Sequence, residues 1–547
     1  MIEILTSTGV FLDLDPDTEF ELTIENPILS DDRMPAPWST DISFAPTAKN
    51  KRVFGWLDAL LLEPTVREIG ATIVAHGIHL LSGTLVYDGI SDGKVKYTFT
   101  ALDYSSEWSE KLYQLPFLGD KNYGIEYMQQ VVAGSVDGVK APVVVNRALV
   151  ADASTTYESD GATITDTFNL NRKYRNASDM TEPSYGFIPA VTVSKILTQA
   201  FGNKVSADNN LKSLFGALVV FGSMWNKFLP MTKSGTYSLN VFDAFPDMSL
   251  SDFLEELCKM TCSAIYNYRG RLYIIGFEYI VSDADIIVWD DKVSDSFEVS
   301  GADKSGYSLS FKDSASGSSV SETVKYTQDD LSKVGEDTYG IYEYRAVKHT
   351  HSGDIYSVKW DTTRGTKEWL IDRLGGTEAY EREGDDMYDV SVDLIPAVCA
   401  PIKFYLGLSD YRKGMAPIIE IPGIGDARPT DVYIALFGYG QATDNGYVMT
   451  MDSDTFGKGY GDDINLGYSL KPEWLFEHYH KSYADWLAKD RSTVTVDVNL
   501  SIYELAALKI WSKVSIYGRI YIISQISIRM TAKIGSMLTV SCELISF

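Results

Sequence analysis

Carboxylates, imidazoles and thiols stand along this chain at several spacings that could do chemistry, but each spacing falls short of a complete site. Asp452, Asp454 and Gly457 occupy the first, third and sixth places of a calcium loop, where alternate carboxylates converge on one ion and glycine allows the sharp turn. The fifth place holds Phe456 and the twelfth Asp463, where a bidentate glutamate belongs. Asp13, Asp15 and Asp17 alternate as well, yet Thr18 stands in the glycine place and Ile24 in the glutamate place, so a surface turn is the better reading. His349 and His351 would share one side of a strand and could fill two positions on a metal, with no third ligand identifiable. His478 and His480, two apart on a helix, point in different directions, which predicts one packed and one solvated ring.

The remaining candidates are weaker. Neighbouring acids such as Asp385–Asp386 and Asp462–Asp463 could supply a glycosidase pair, but with 75 Asp and Glu in the chain such pairs select nothing. There is no G-x-S-x-G elbow, and Gly89-Ile90-Ser91-Asp92-Gly93-Lys94 lacks both the spacing of a phosphate loop and its closing Ser or Thr. Cys258 and Cys262 lie one helical turn apart, and no Cys or His pair near them completes a zinc site, so buried free thiols are expected. Trp38, Trp56, Trp108, Trp225 and Trp360 could form sugar platforms, although in a β-rich chain aromatics serve more often as core or subunit interface. No catalytic residue, metal ligand or cofactor site is assigned on these grounds, and no enzyme activity is expected.

The elements that would carry such residues are legible from periodicity. At 547 residues the chain should hold several domains, and 45% hydrophobic content excludes wholesale disorder. Aromatics at 12%, 34 of them Tyr, with many alternating segments, predict a mainly β fold with a smaller α+β part. Phe20, Leu22 and Ile24 alternate with acids and read as a strand with one buried face, while 39–55 reads as a strand broken by Pro46 and followed by a basic loop. A hairpin spans 80–100. Helical spacing at Val193, Ile196, Leu197 and Ala200 stops at Gly202; a second helix covers Ser251 to Thr261, and a hairpin turns at Arg269-Gly270-Arg271. Thr366 to Leu374 is read as a helix. A third helix, opening at Pro472, puts Trp474, Leu475, His478, Tyr479, Tyr483, Trp486 and Leu487 on one aromatic face. Behind it, Val494, Val496 and Val498 alternate as a strand, and Ser501 with Glu504 forms a capping box. Strands flank Tyr517-Gly518-Arg519, and a last one alternates Leu538, Val540, Cys542 and Leu544, giving a small barrel or curled sheet.

These breaks divide the chain into an N-terminal β domain (1–115), a loop-rich β connection (116–185), an α+β module (186–280), a β domain (281–370), a loop-rich insertion (371–470) and the helix with its closing β segment (471–547). No fixed-period repeat is visible. A formal charge of −27 argues against a nucleic-acid-binding groove, which needs clustered Lys and Arg. An acidic wall can still let DNA pass without sticking, and acids also simply keep a large protein soluble. Four cysteines do not make a disulfide framework, and the first residues show no secretory signal, so synthesis in a reducing cytoplasm is expected. The longest apolar run, Leu214 to Trp225, is too short to span a membrane and reads as core or interface.

Two segments carry a resemblance. Asn26-Pro27-Ile28-Leu29, followed by Ile42-Ser43-Phe44 and the stretch from Asn50 to Phe54-Gly55, resembles the opening of tail-tip proteins in phages and prophages of Bacteroidetes-type hosts. The aromatic helix at Leu475 to Leu487, then Arg491 to Leu500, then Tyr517 to Ile523 and a closing strand, is similar to the final domain of the same group. The module from Pro189 to Gly202 and Ser249 to Ile275 resembles the α+β insert of baseplate hub proteins. The resemblance implies small β-barrel hub domains in a homo-oligomeric ring, often a trimer, at the virion tail tip. Such a ring continues the tail tube, contacts distal tail proteins, docks fibres or a spike, and passes DNA without binding it specifically. A receptor- or glycan-binding protein at the tip periphery is the alternative. A glycan-cleaving tailspike would need long β-helix repeats, which are absent.

Overall fold

A computed structural model describes residues 2–55, 64–101, 108–115, 137–140, 190–223, 241–312, 380–397, 428–439, 468–532 and 537–547 apart from scattered single positions, together with the backbone of short strands between these ranges. The chain is mainly β, in several sheets, and the largest has 14 strands drawn from both ends of the sequence. Its N-terminal part comprises β1 (Ile2–Thr6), β2 (Phe11–Leu12), β3 (Glu19–Glu25), β4 (Trp38–Ser39), β5 (Ile42–Phe44), β6 (Glu68–Ala75), β7 (Ile78–Ser91) and β8 (Lys94–Thr100). Antiparallel pairing runs β5–β8–β7–β6–β1–β2. Leu14 then bridges back to Phe44 in β5, so this part of the sheet curls until its ends meet. Backbone bonds from Asp15 N to Ser43 O (3.1 Å) and from Ala45 N to Asp13 O (3.0 Å) fasten the meeting point. Period-two alternation drives the curl: Val95, Tyr97 and Phe99 are buried while the residues between them are only partly covered.

The stretch expected as a basic loop is a helix, α1 (Ala48–Phe54). Thr47 accepts the Asn50 N–H at its start, and Gly55 at φ 65° ends it in the left-handed region. Both signals are local, but exposed Lys49 and Arg52 and half-buried Lys51 surround the two buried residues, Asn50 and Phe54, of which only Phe54 is apolar, so no apolar period shows. Phe54 stacks on Tyr97 at 4.8 Å, so α1 plugs one end of the curled sheet.

The C-terminal part curls in the same way. Lys513–Ile516, Arg519–Thr531, Met537–Ser546 and Arg491–Ser501 pair in that spatial order, all antiparallel. The two edges of this sheet are met by one kinked segment, since Ile286–Val288 pairs in parallel with 513–515 and Val293–Ala302 pairs antiparallel with 491–498. Trp289 fills the kink, with its N–H on Ser515 O at 2.9 Å and its side chain buried. β3 joins the two curled units, pairing with Arg519–Thr531 over seven residues on one side and with β4 on the other, and β4 pairs with β8. Their interiors form one continuous apolar cluster, with Phe20, Leu22 and Phe99 from one end of the chain packed with Ile526, Ile528 and Val540 from the other.

A second core sits in the middle of the sequence. Helices Val193–Phe201, Asn209–Ala217 and Leu250–Met260 start at Thr192, Asp208 and Ser249, each of which accepts a first-turn N–H. They cover the hairpin Ser263–Tyr268/Arg271–Gly276 and a nine-stranded sheet that includes Leu218–Phe221. The described part of the apolar run at 214–225 is therefore core. Contrary to the helical reading of 366–374, Glu368–Leu374 is a strand, paired with Ile355–Asp361 on one side and Thr323–Thr327 on the other. Strand partners on both edges outweigh the local helical preference of Glu and Leu.

Candidate functional site

Among the described residues, a cluster of buried polar groups lies where the segment from Asn26 to Arg33 crosses between the two cores. Asn-Pro begins a tight turn at Pro27–Leu29, and the Asn26 side chain accepts the Ile28 N–H at 3.3 Å. The same amide donates to Ile523 O (2.7 Å) and Ile510 O (3.3 Å), and its oxygen also accepts the Tyr266 hydroxyl (3.0 Å). The Asn26 N–H goes to Ser524 O at 2.8 Å, at the bulge where strand 519–531 skips one residue against its neighbour. One buried side chain thus ties the opening of the chain to its closing sheet and to the central hairpin.

Seven residues on, Arg33 is 2% exposed. Its backbone is left-handed at φ 57°, and its C=O accepts the Ile265 N–H at 3.2 Å. The guanidinium donates to Ile28 O and to the Tyr388 hydroxyl (3.0 Å) and lies 5.5 Å from the centre of the Tyr483 ring. Burial works against its charge, while the surrounding Tyr483, Cys262, Tyr388 and Tyr307 work for it, and the net effect raises its pKa. Arg33 therefore stays cationic at every accessible pH.

The aromatic helix supplies the rest of the cluster, with one departure from the expected register. Between helical turns at Pro472–Leu475 and Lys481–Leu487, residues Phe476–His480 form a π turn. The wider turn advances the buried stripe by one residue. Phe476 and His480 point inward, whereas His478 stays exposed, stacked on Trp474 at 3.8 Å. One of the two histidines is thus packed and the other solvent-facing, as the spacing predicts. His480 is fully buried, and its ring sits between Met260 O, 2.9 Å from Nε2, and the Tyr307 hydroxyl, 2.6 Å from Nδ1. A carbonyl can only accept, so Nε2 carries the proton and Nδ1 accepts from Tyr307. Burial, with Arg33 nearby, pulls the His480 pKa down to about 4, so the ring is neutral.

Cys262, Tyr307 and His480 resemble a relay from a thiol to a base, and burial decides against one. Burial pushes the Cys262 thiol up to about 11, against smaller lowering effects of the Arg33 charge and the neighbouring Tyr307 hydroxyl. Burial raises the thiol and lowers the imidazole, so passing a proton from Cys262 to His480 runs uphill at both ends. Cys262, Tyr307 and His480 are all fully buried, so no substrate reaches them. The cluster is a clamp: it fixes the Asn26–Arg33 strap, the central hairpin and the aromatic helix to one another.

The other sequence candidates separate in space. Asp13 accepts the Thr47 hydroxyl (2.7 Å) and pairs with Lys49, and Asp15 accepts the Asp17 N–H and pairs with Lys94 (3.0 Å), so these acids fasten the turn to α1 and to the hairpin of β7 and β8. Cys258, Cys262 and Cys542 are buried free thiols. Trp108 is half-buried against Phe201, whereas Trp38 is 44% exposed. The calcium-like loop at 452–463, His351, Asp385, Trp56 and Trp225 lie outside the described residues, as do the side chains of His349, Trp360 and Cys399. Among the described residues no three His, Cys, Asp or Glu side chains come together as a metal site, and no helix is long and apolar enough to cross a membrane. A cleft of about 470 Å³ opens between the curled sheets and the central hairpin, lined by Leu22, Ile24, Leu80, Trp511 and Ile528. The cation at its rim, Arg269, lies over Tyr268 at 5.1 Å and reaches Ala506 O at 3.5 Å, so it holds the hairpin to the end of helix Ile502–Ala507. Nothing local in the sequence marks Arg33, Tyr307 or Tyr388, whose roles depend on neighbours far along the chain.

No protein-family model matches the chain, and no curated protein matches its sequence. Among solved structures it is similar to the 43 kDa tail protein of prophage MuSo2 from Shewanella oneidensis, with 9% identity, a TM-score of 0.35, and coverage of 99% of this chain and 97% of that one. It is similar to the tail protein from Neisseria meningitidis MC58, at 8% identity, a TM-score of 0.32, and 100% and 95% coverage. It is also similar to prophage tail protein gp18 from Listeria monocytogenes EGD-e, at 8% identity, a TM-score of 0.30, and 99% and 94% coverage. Scores this low establish neither the fold nor the function of this chain.

Proposed function

We propose that this chain is a structural subunit of a phage tail tip, a baseplate hub protein that assembles with copies of itself into a ring continuing the tail tube. The observation that carries this reading is the pair of small curled sheets held side by side by β3 over one shared core. A subunit of that build is rigid across both units, and three copies would offer six similar faces to a six-fold tube. The buried polar cluster supports a mechanical role, because its donors and acceptors are spent on joining elements. The net charge of −27 suits a wall along which DNA passes without binding. The ring would contact tube and distal tail proteins on one side and fibres or a spike on the other, with no catalytic step of its own.

The test is a cryo-EM reconstruction of the tail particle that contains this chain. The expected result is density coaxial with the tube, in three copies, and light scattering of the assembled ring should give three times 60.8 kDa. Density at the periphery alone would overturn the hub reading in favour of a receptor- or glycan-binding role.

A further inference from the structure

The strand Val293–Ala302 has an outer edge that pairs with no other strand among the described residues. Ten residues is long for an open edge, and proteins usually protect such edges with Lys, Pro or a short strand. This strand, Val-Ser-Asp-Ser-Phe-Glu-Val-Ser-Gly-Ala, contains neither Lys nor Pro; its charges are Asp295 and Glu298, and its irregularity is confined to the stretch before Phe297. After the irregularity between Val293 and Phe297, it runs in unbroken register with 491–496 for six consecutive pairs. Phe297 and Val299 stand opposite Val496 and Val494, on the face that elsewhere lines the core of the curled sheet, yet they are 64% and 58% exposed. The apolar lining of the curled sheet therefore continues past the end of its core and lies open beside an edge that pairs with no strand among the described residues.

The opposite face has its own chemistry. Glu298, Thr495 and Glu543 lie side by side on three neighbouring strands, and Asp497 follows two residues along. Glu298, Glu543 and Asp497 make no ion pair among the described residues. An added strand would thus face Glu298 directly on one side of the sheet, with Asp497 and Glu543 one and two strands further in, and Phe297 and Val299 on the other side. We infer that this edge receives an extended segment of another protein, alternately apolar and basic, as an additional β-strand. A second copy of this chain is the poorer occupant, because its own edge would bring Glu298 against an acidic strip and add another charge of −27. The inference stands whether or not the chain forms a ring.

The experiment uses the full chain and three fluorescein-labelled peptides: alternating Val-Lys, alternating Val-Glu, and a peptide of the first composition with its Val and Lys in separate blocks. Anisotropy should show the alternating Val-Lys peptide binding with a dissociation constant on the order of 10 µM, weakening with salt. The other two peptides should bind at least about tenfold more weakly. The double change Phe297→Ser with Val299→Ser should weaken the Val-Lys peptide by about tenfold, and Glu298→Lys should shift preference toward Val-Glu. These side chains are exposed, so both variants should keep the wild-type melting temperature. Equal binding of the blocked peptide would reduce the effect to bulk charge and overturn the proposal, as would unchanged binding by the serine variant. A dimer of the free protein that dissolves in the serine variant would make a second copy the occupant and overturn it too.

Discussion

Changing His480 to Gln removes the one buried imidazole of the clamp, and its effect should depend on pH in a direction the structure fixes. In the folded chain the ring sits near pKa 4, against 6.5 in water, because burial and the Arg33 charge disfavour its cation. Above pH 6.5 neither folded nor unfolded chain protonates it, so it adds no pH dependence. Between 6.5 and 4 the unfolded chain binds a proton that the folded chain refuses, and stability falls. The loss reaches about 3 kcal/mol at pH 4 and levels off below, where the folded ring protonates as well. Glutamine keeps an N–H for Met260 O and has no such proton, so the variant should be less stable at pH 7.5 but lose less on acidification. The gap between wild type and variant should close by about 3 kcal/mol from pH 7.5 to pH 4. Urea titrations at several pH values measure it, and hydrogen exchange in Phe476 to Leu487 reports the same opening without requiring the whole chain to unfold in one step. A gap that stays constant over this range would show that His480 titrates alike in both states and would refute the buried neutral assignment.

Asn26→Ala should lower the urea-derived stability by about 4 kcal/mol, because it orphans the Tyr266 hydroxyl and the carbonyls of Ile510 and Ile523; a loss under about 1 kcal/mol would deny the strap its role. Gly83→Ala would set a Cβ 2.1 Å from Thr100 O and 2.6 Å from Ala101 Cα, both backbone atoms, so a loss of about 3 kcal/mol in thermal or urea unfolding is expected where an open strand position would tolerate alanine. Cys258, Cys262 and Cys542, held by burial at about 12, 11 and 12, should resist a thiol reagent at pH 8 until the chain unfolds; peptide mapping that found any of them labelled within minutes would contradict their burial.

Several elements were readable from sequence because their causes are local. The Ser501–Glu504 capping box forms as its spacing requires, with each residue's side chain taking the other's N–H. Tyr517 and Gly518 both take positive φ in the tight turn between strands 513–516 and 519–531, as a two-residue hairpin loop demands. The helices at 193–201 and 250–260 appear within a residue or two of their periodic patterns. The failures came where distant partners intervened. Residues 368–374 became a strand through pairing on both edges, and the 472–487 helix turned its buried stripe when a π turn seated His480 against Met260 and Tyr307.

The sequence by itself determined the period of each segment and hence which side chains alternate inward, together with the caps, turn glycines and acidic balance. Those follow from torsional preference, hydrogen bonding within a few residues and the counting of charges. Only the tertiary structure decided that strands hundreds of residues apart share one sheet, that Asn26 and Arg33 become a clamp, and that Phe297 and Val299 are left uncovered at an edge. Burial and a shifted pKa are properties of surroundings, and for these residues the surroundings are assembled from parts of the chain that no local pattern connects.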